Sequence, residues 1–236
     1  TESGQRLYDY ANTVLSEYDK LKKEIDMIRA SEEGTVELLV AYDILRYLTP
    51  DCILEFQKKY PNVTFSYMEY PDRIVEKMLL DKEGNVALSI GPFAGDCFDM
   101  KSLKKCSLGL LVYEEHSLAK KREATILDLE GEPLYLENSS FKLNEFIQSR
   151  CWNRGFEPDI VFETNGFDLC YKMCRLKRGI SVTIDFVHED MNTEGLVMIP
   201  FAEDDMIWEI GLLTLKDRAM ESSVEKFYKY IENYNS

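Results

Sequence analysis

The chain has 236 residues, and its 43 acidic against 28 basic side chains give a formal net charge of −15. An excess of that sign repels the phosphate backbone that supplies most nucleic-acid affinity, so these residues are not expected to grip DNA by themselves. The 45% hydrophobic content is that of a folded globular protein, and no run approaches the ~20 apolar residues of a membrane helix.

In chain order, the first pattern is Leu7, Ala11, Val14, Tyr18, Leu21, Ile25 and Ile28, which alternate four- and three-residue steps with charged residues between them. So narrow an apolar stripe is a coiled-coil seam and implies a partner helix. The helix is expected from about Glu2 to about Ala30, ended by Ser31-Glu32-Glu33-Gly34. At ~1.5 Å per residue it spans roughly 40 Å, too long to pack on one small lobe.

After Gly34 strands and helices alternate. Thr35 to Ala41 reads as a strand, Leu45 to Tyr60 as a helix, Val63 to Met68 as a strand, Asp72 to Leu80 as a helix and Val86 to Ile90 as a strand stopped by Gly91-Pro92. A cysteine-bearing loop is expected from Gly91 to Lys105, before a strand from Leu108 to Tyr113 that leaves the first lobe. Beyond it come strands at Pro133 to Leu136, Ile160 to Glu163 and Ile180 to Ile184, with helices at Ser140 to Arg154 and Phe167 to Leu176. Late strands at Leu196 to Phe201 and Ile207 to Leu215 precede a terminal helix, Glu221 to Tyr234, with Val224, Phe227, Tyr228 and Ile231 on one face. Alternation of this kind predicts an α/β fold with a parallel-rich sheet covered by helices.

Several of these residues stand in the order seen in bacterial LysR-type transcription regulators. Thr1-Glu2-Ser3-Gly4 with Leu7, Tyr10 and Ala11 resembles the start of that family's linker helix. Leu48-Thr49-Pro50, Phe56, Tyr60-Pro61 and Val63, then Leu111-Val112 with His116-Ser117-Leu118-Ala119 and Asp128-Leu129, resemble its first-lobe and hinge segments. Gly155-Phe156-Glu157-Pro158, Phe162-Glu163 and Arg178-Gly179-Ile180-Ser181-Val182 are similar to the second lobe. Ser117, Asn85 and Ile184-Asp185 depart from the residues usual at those points.

The resemblance implies a two-lobed periplasmic-binding-protein-like (type 2) fold behind a linker and dimerisation helix. The division it implies is a helix over 1–33, a first lobe over 34–110 and 208–236, and a second lobe over 111–207, with strands crossing near Leu110 to Tyr113 and near Asp205 to Ile207. It further implies a small-molecule effector in the cleft, a homodimer or homotetramer, and DNA contact only through a winged helix-turn-helix absent from these residues. The cytoplasm is the expected location, since Thr1-Glu2-Ser3-Gly4 lacks a signal peptide's form.

In an open parallel sheet, ligands bind beyond the carboxyl ends of strands, where helix amino termini offer unpaired N–H groups. That rule nominates Tyr42, Asp43 and Ile44; Gly91 and Pro92; Asn138, Ser139, Ser140 and Phe141; Thr164, Asn165 and Phe167; and Thr183 and Ile184. Ser139 and Ser140 suit a helix cap or a carboxylate-bearing effector, whereas Asp43 disfavours a purely anionic one, so an amino-acid-like ligand carrying both charges reconciles them.

No serine-nucleophile elbow, phosphate-binding loop or His-Glu-x-x-His is present, and neither catalysis nor a cofactor is expected. His116 falls in a surface run and His188 in a hydrophilic loop, so no metal site is expected. The six cysteines, Cys52, Cys97, Cys106, Cys151, Cys170 and Cys174, read as reduced thiols. Two other functions stay open: a free-standing solute-binding protein of the same fold, and a redox-sensing regulator using Cys97 and Cys106, which flank the expected loop.

Overall fold

The computed structural model describes residues 1–31, 34–93 and 95–234, and the side chains at positions 9, 19 and 23–31 lie outside what it describes. Helix α1 (Glu2–Ser31) is a single 30-residue helix. Leu7, Val14, Tyr18 and Leu21 of its seam are all more than half exposed in the single chain. The side chains of Ile25 and Ile28, and the expected stop at Glu32-Glu33, lie outside what is described.

The first lobe opens with β1 (Gly34–Ala41), α2 (Ile44–Lys59), β2 (Val63–Tyr70), α3 (Asp72–Leu80) and β3 (Val86–Ile90). β1 runs parallel to β2 and to β3. β1 and β3 are almost continuously apolar and buried, as a strand covered on both faces must be. α2 is not one regular helix: Thr49, at φ 55° and ψ 146°, breaks it before Pro50, whose ring forbids a helical residue ahead of it.

Next comes β4 (Phe98–Tyr113), a 16-residue strand that begins ten residues before the expected start at Leu108. The expected loop from Gly91 to Lys105 is therefore strand over its second half. Lys101, Ser102, Lys104 and Lys105 disguise it, because this stretch is half exposed and held by backbone ladder bonds, not by apolar burial. β4 pairs with β9 (Ile207–Leu215) as far as Ser107, and from Leu108 its partner becomes β7 (Ile180–Ile184). β8 (Leu196–Pro200) lines its other edge from Gly109 to Tyr113. One strand thus belongs to both lobes. At Gly109 the Met198 side chain and the Ile199 carbonyl pack so close that an added Cβ would lie 2.4 Å from Met198 Cε and 3.1 Å from Ile199 O.

The second lobe is completed by β5 (Leu134–Glu137), α4 (Lys142–Asn153), β6 (Ile160–Thr164), α5 (Phe167–Arg175) and α6 (Asp185–Asp190). β5 runs parallel to β6 and β7, while β4 is antiparallel to β7 and β8. The full order is β2-β1-β3-β9-β4-β7-β5-β6, with β8 beside β4. α6 replaces the hydrophilic loop expected around His188. Six residues are too few to show a helical period, yet Phe186 and Val187 are buried and anchor the turn.

β9 returns the chain to the first lobe, where α7 (Ser222–Tyr234) packs on β1 and α2. Val224, Phe227 and Ile231 are buried, and the Phe227 ring meets Phe56 edge-on at 5.1 Å and Phe65 at 5.3 Å. Ser223 at the start of α7 donates to Thr35 O, tying the terminal helix to the first strand.

Candidate functional site

A cavity of about 20 Å³ lies between the lobes, walled by residues at strand ends and helix starts from both sides. Of the nominated residues, Tyr42, Asp43, Ile44, Phe141, Phe167 and Ile184 line it. The other eight are not part of its lining. Gly91 N–H donates to Glu209 O at 2.7 Å, and Gly91-Pro92 is a cis peptide. Asn138 donates to the Asn165 side chain and accepts from Ser140 N–H at 2.8 Å. Ser139 is exposed, the Thr164 hydroxyl donates to Gly166 O, and Thr183 is buried with its hydroxyl 2.9 Å from the Tyr171 hydroxyl.

α4 starts at Lys142, so Phe141 holds the cap position and neither serine caps the helix. The cap comes from the opposite lobe. Asp72, at the start of α3, accepts the Lys142 backbone N–H at 3.0 Å on Oδ1. A carboxylate at a helix amino terminus is favoured by the unpaired N–H groups and the helix dipole. The same lysine reaches back across the cleft. Its ammonium pairs with Glu76, donates to Ile90 O at 2.7 Å and lies 4.8 Å from the centre of the Phe93 ring. Lys142, Glu76 and Asp72 are all buried.

A second tie runs through Arg46 on α2, whose guanidinium bonds Asp43 beside it, Asp190 on α6 and, at 3.3 Å, Asp168 on α5. Arg73 pairs with Glu145 further along the same seam. The lobes are therefore held together by charge-assisted bonds on two sides of the cavity.

Sequence reasoning misses three polar residues of this wall: Asp72, Glu137 and Trp208. Glu137 is the last residue of β5, one position before the nominated segment, and Asp72 follows β2, a strand end left out of the nominations. Burial pushes the Asp72 carboxyl up to about 6, despite the pull of Lys142 and two backbone N–H groups. Glu137 is pushed up more strongly, first by burial and then by Asp43 and Asp72, and no donor offsets it. Asp43 is raised by burial in spite of Arg46. The Trp208 indole N–H is buried without an acceptor.

His188 sits on α6 with Nδ1 3.1 Å from the Tyr171 hydroxyl. His116 is buried, not on the surface, accepting from Leu118 N–H and lying 3.3 Å from Glu132. Among the described residues there is no group of three or more His, Cys, Asp or Glu placed to hold a metal, and no helix long and apolar enough to cross a membrane. Cys97 and Cys106 are not poised for a disulfide. Extended β4 sets them nine residue steps apart, ~30 Å at ~3.3 Å each, whereas a disulfide needs Cα atoms within ~7 Å. Cys106 is buried, its thiol pushed up to about 12, and Cys170 up to about 11, by desolvation.

The family profile described as LysR substrate binding domain matches residues 29–235. The transcriptional dual regulator GltC of Bacillus subtilis is 23% identical over 238 residues, covering all of this chain and 79% of GltC. The regulator YwbI of the same organism, whose own function is uncharacterised, is 25% identical over 78% of this chain. CysB of Burkholderia cenocepacia is 25% identical over 85%. The chain spans 62% of YwbI and 64% of CysB. Among solved structures, the regulatory domain of Synechocystis CcmR in complex with 2-PG superposes with a TM-score of 0.75 at 16% identity, over 84% of this chain and 96% of that one. The BenM effector-binding domain with benzoate gives 0.71 at 18%, over 86% and 92%.

Proposed function

The chain belongs to the LysR substrate-binding domain family, and on that premise we propose how it works as the effector-binding portion of a LysR-type regulator. A small molecule enters the interlobe cavity and changes how the lobes close. The change passes through α1 of a homodimer or homotetramer to DNA-reading heads of the parent protein, which acts in the cytoplasm and is not an enzyme. DNA is reached only through those heads.

One observation carries this reading: the cavity has walls from both lobes, so a ligand in it binds the closed arrangement differently from an open one. Only such differential affinity shifts a conformational equilibrium. Tyr42, Asp43, Ile44, Phe141, Phe167 and Ile184 form the contact wall. Gly91, Pro92, Asn138, Ser139, Ser140, Thr164, Asn165 and Thr183 shape the turns behind it. The exposed Leu7, Ala11, Val14, Tyr18 and Leu21, whose spacing Ile25 and Ile28 continue in the sequence, support pairing of α1 with a second copy.

A thermal-shift screen of metabolites on the intact chain tests the sensing role. An effector at about 100 times its dissociation constant adds roughly 2.7 kcal/mol of stability, and Phe141→Ala should abolish the shift. Stabilisation that survives Phe141→Ala and Ile184→Ala would place the ligand elsewhere. Sizing at micromolar concentration tests the assembly: a monomer would favour the solute-binding alternative.

A further inference from the structure

We propose that the effector is a small organic amine, whose ammonium is taken by Glu137 and Asp72 inside the aromatic wall of the interlobe cavity. This rests on the reading of that cavity as the effector site.

Glu137 is the starting point. It is only 4% exposed, it lines the cavity, and among the described residues no side chain or backbone group donates to its carboxylate. A buried carboxylate without a donor is costly, and a ligand that brings one removes the cost. The neighbouring cations are already committed. Lys142 is held by Glu76 and Ile90 O, and Arg46 is shared by Asp43, Asp168 and Asp190. What remains toward the cavity is acidic: Glu137, Asp72 and Asp43, carboxyls that burial holds toward their neutral form and that a ligand's ammonium would favour as carboxylates.

The place where an anion would be welcome is taken. The amino terminus of α4 already holds the Asp72 carboxylate, so an effector carboxylate would have to displace it and then face Glu137. Aromatic faces favour a cation, and Tyr42, Phe141, Phe167, Phe186 and Trp208 ring the cavity. Its volume of about 20 Å³ matches about one water-sized group, the size of an ammonium head, so taking up the rest of the ligand must shift one lobe against the other.

The test is calorimetry and thermal shift on the intact chain with two matched sets: ethanolamine, 4-aminobutanol and putrescine against glycolate, 4-hydroxybutyrate and succinate. The expected result is binding within the amine set, weakened at least tenfold in Glu137→Gln, with the acids inert. Asp43→Ala should weaken amines less, since its carboxylate is shared with Arg46. Binding by the acids with the amines inert overturns the amine assignment and leaves the effector site standing. Amine binding untouched by Glu137→Gln also overturns it. No binding by either set overturns both the assignment and the effector reading.

Discussion

Asp72 of the first lobe and Lys142 of the second meet across the cleft: the Asp72 carboxylate accepts the lysine's backbone N–H at 3.0 Å, while the lysine's ammonium pairs with Glu76, one helical turn beyond Asp72. A single residue of α4 therefore joins its helix start and its side chain to α3. The two lobes are held to each other by this doubled contact as well as by Arg46.

Stability should depend on pH through Asp72. Its carboxyl is held at about 6 in the folded chain against ~3.9 unfolded, so its proton is bound more tightly when folded. That contribution is full below about pH 4 and is lost as pH rises through 6, a change of roughly 3 kcal/mol. Glu137 and Asp43 act in the same sense, and His188, held low by burial, acts in the opposite one. Asp72→Asn keeps an acceptor for the Lys142 N–H and removes the charge. Urea denaturation at pH 5 and pH 7.5 should show the variant gaining on the wild type at the higher pH; an unchanged difference would disprove the assignment.

Lys142→Met should destabilise the chain by about 3–5 kcal/mol, because Glu76 is left buried without its counter-charge. Glu76 keeps only the Ser89 hydroxyl, 3.1 Å away. Adding Glu76→Gln to Lys142→Met should recover most of the loss. Denaturation of the four proteins in a double-mutant cycle measures the coupling, and additive losses would mean that the two side chains act independently.

Gly109→Ala should cost about 1–3 kcal/mol by overpacking. The new methyl meets Met198 Cγ at 2.6 Å and Ile199 O at 3.1 Å, and the latter is backbone that does not yield easily. Combining it with Met198→Ala should relieve part of the loss, read as the melting temperature of the double variant against both singles.

Thiol labelling of the native chain should show one fast cysteine. Cys97 is exposed, whereas the other five are buried, with Cys52 and Cys151 pushed up to about 11 by desolvation. Mass spectrometry after brief iodoacetamide treatment should find Cys97 modified and the rest protected until denaturant is added. Rapid labelling of Cys106 would show that the ladder between β4 and β9 opens readily.

Strands that bury both faces are easy to read: Val86–Ile90 and Ile180–Ile184 are apolar runs bounded by turn residues, and both are strands. The first half of β4 hides because its pairing is backbone to backbone, and lysines at 101, 104 and 105 carry no apolar period. α6 hides because it is shorter than the pattern that would reveal it. In the cavity wall, Tyr42, Phe141 and Ile184 follow from a rule about strand ends. Asp72 and Glu137 do not, since their importance lies in which lobe each faces, and that depends on how two separately folded halves meet.

The unbroken run of β4 from Phe98 to Tyr113 bears on how a signal could leave this protein. Two bodies strung on a common spine do not swing apart as on a slack tether; they wring it. Adjacent strands ordinarily sit twisted by roughly 10–35°, so a change of twist asks less of the β4–β9 ladder than a separation would. On the proposed reading the output would be torsion, and a long helix such as α1 would suit the conversion of a small angle into displacement at its far end.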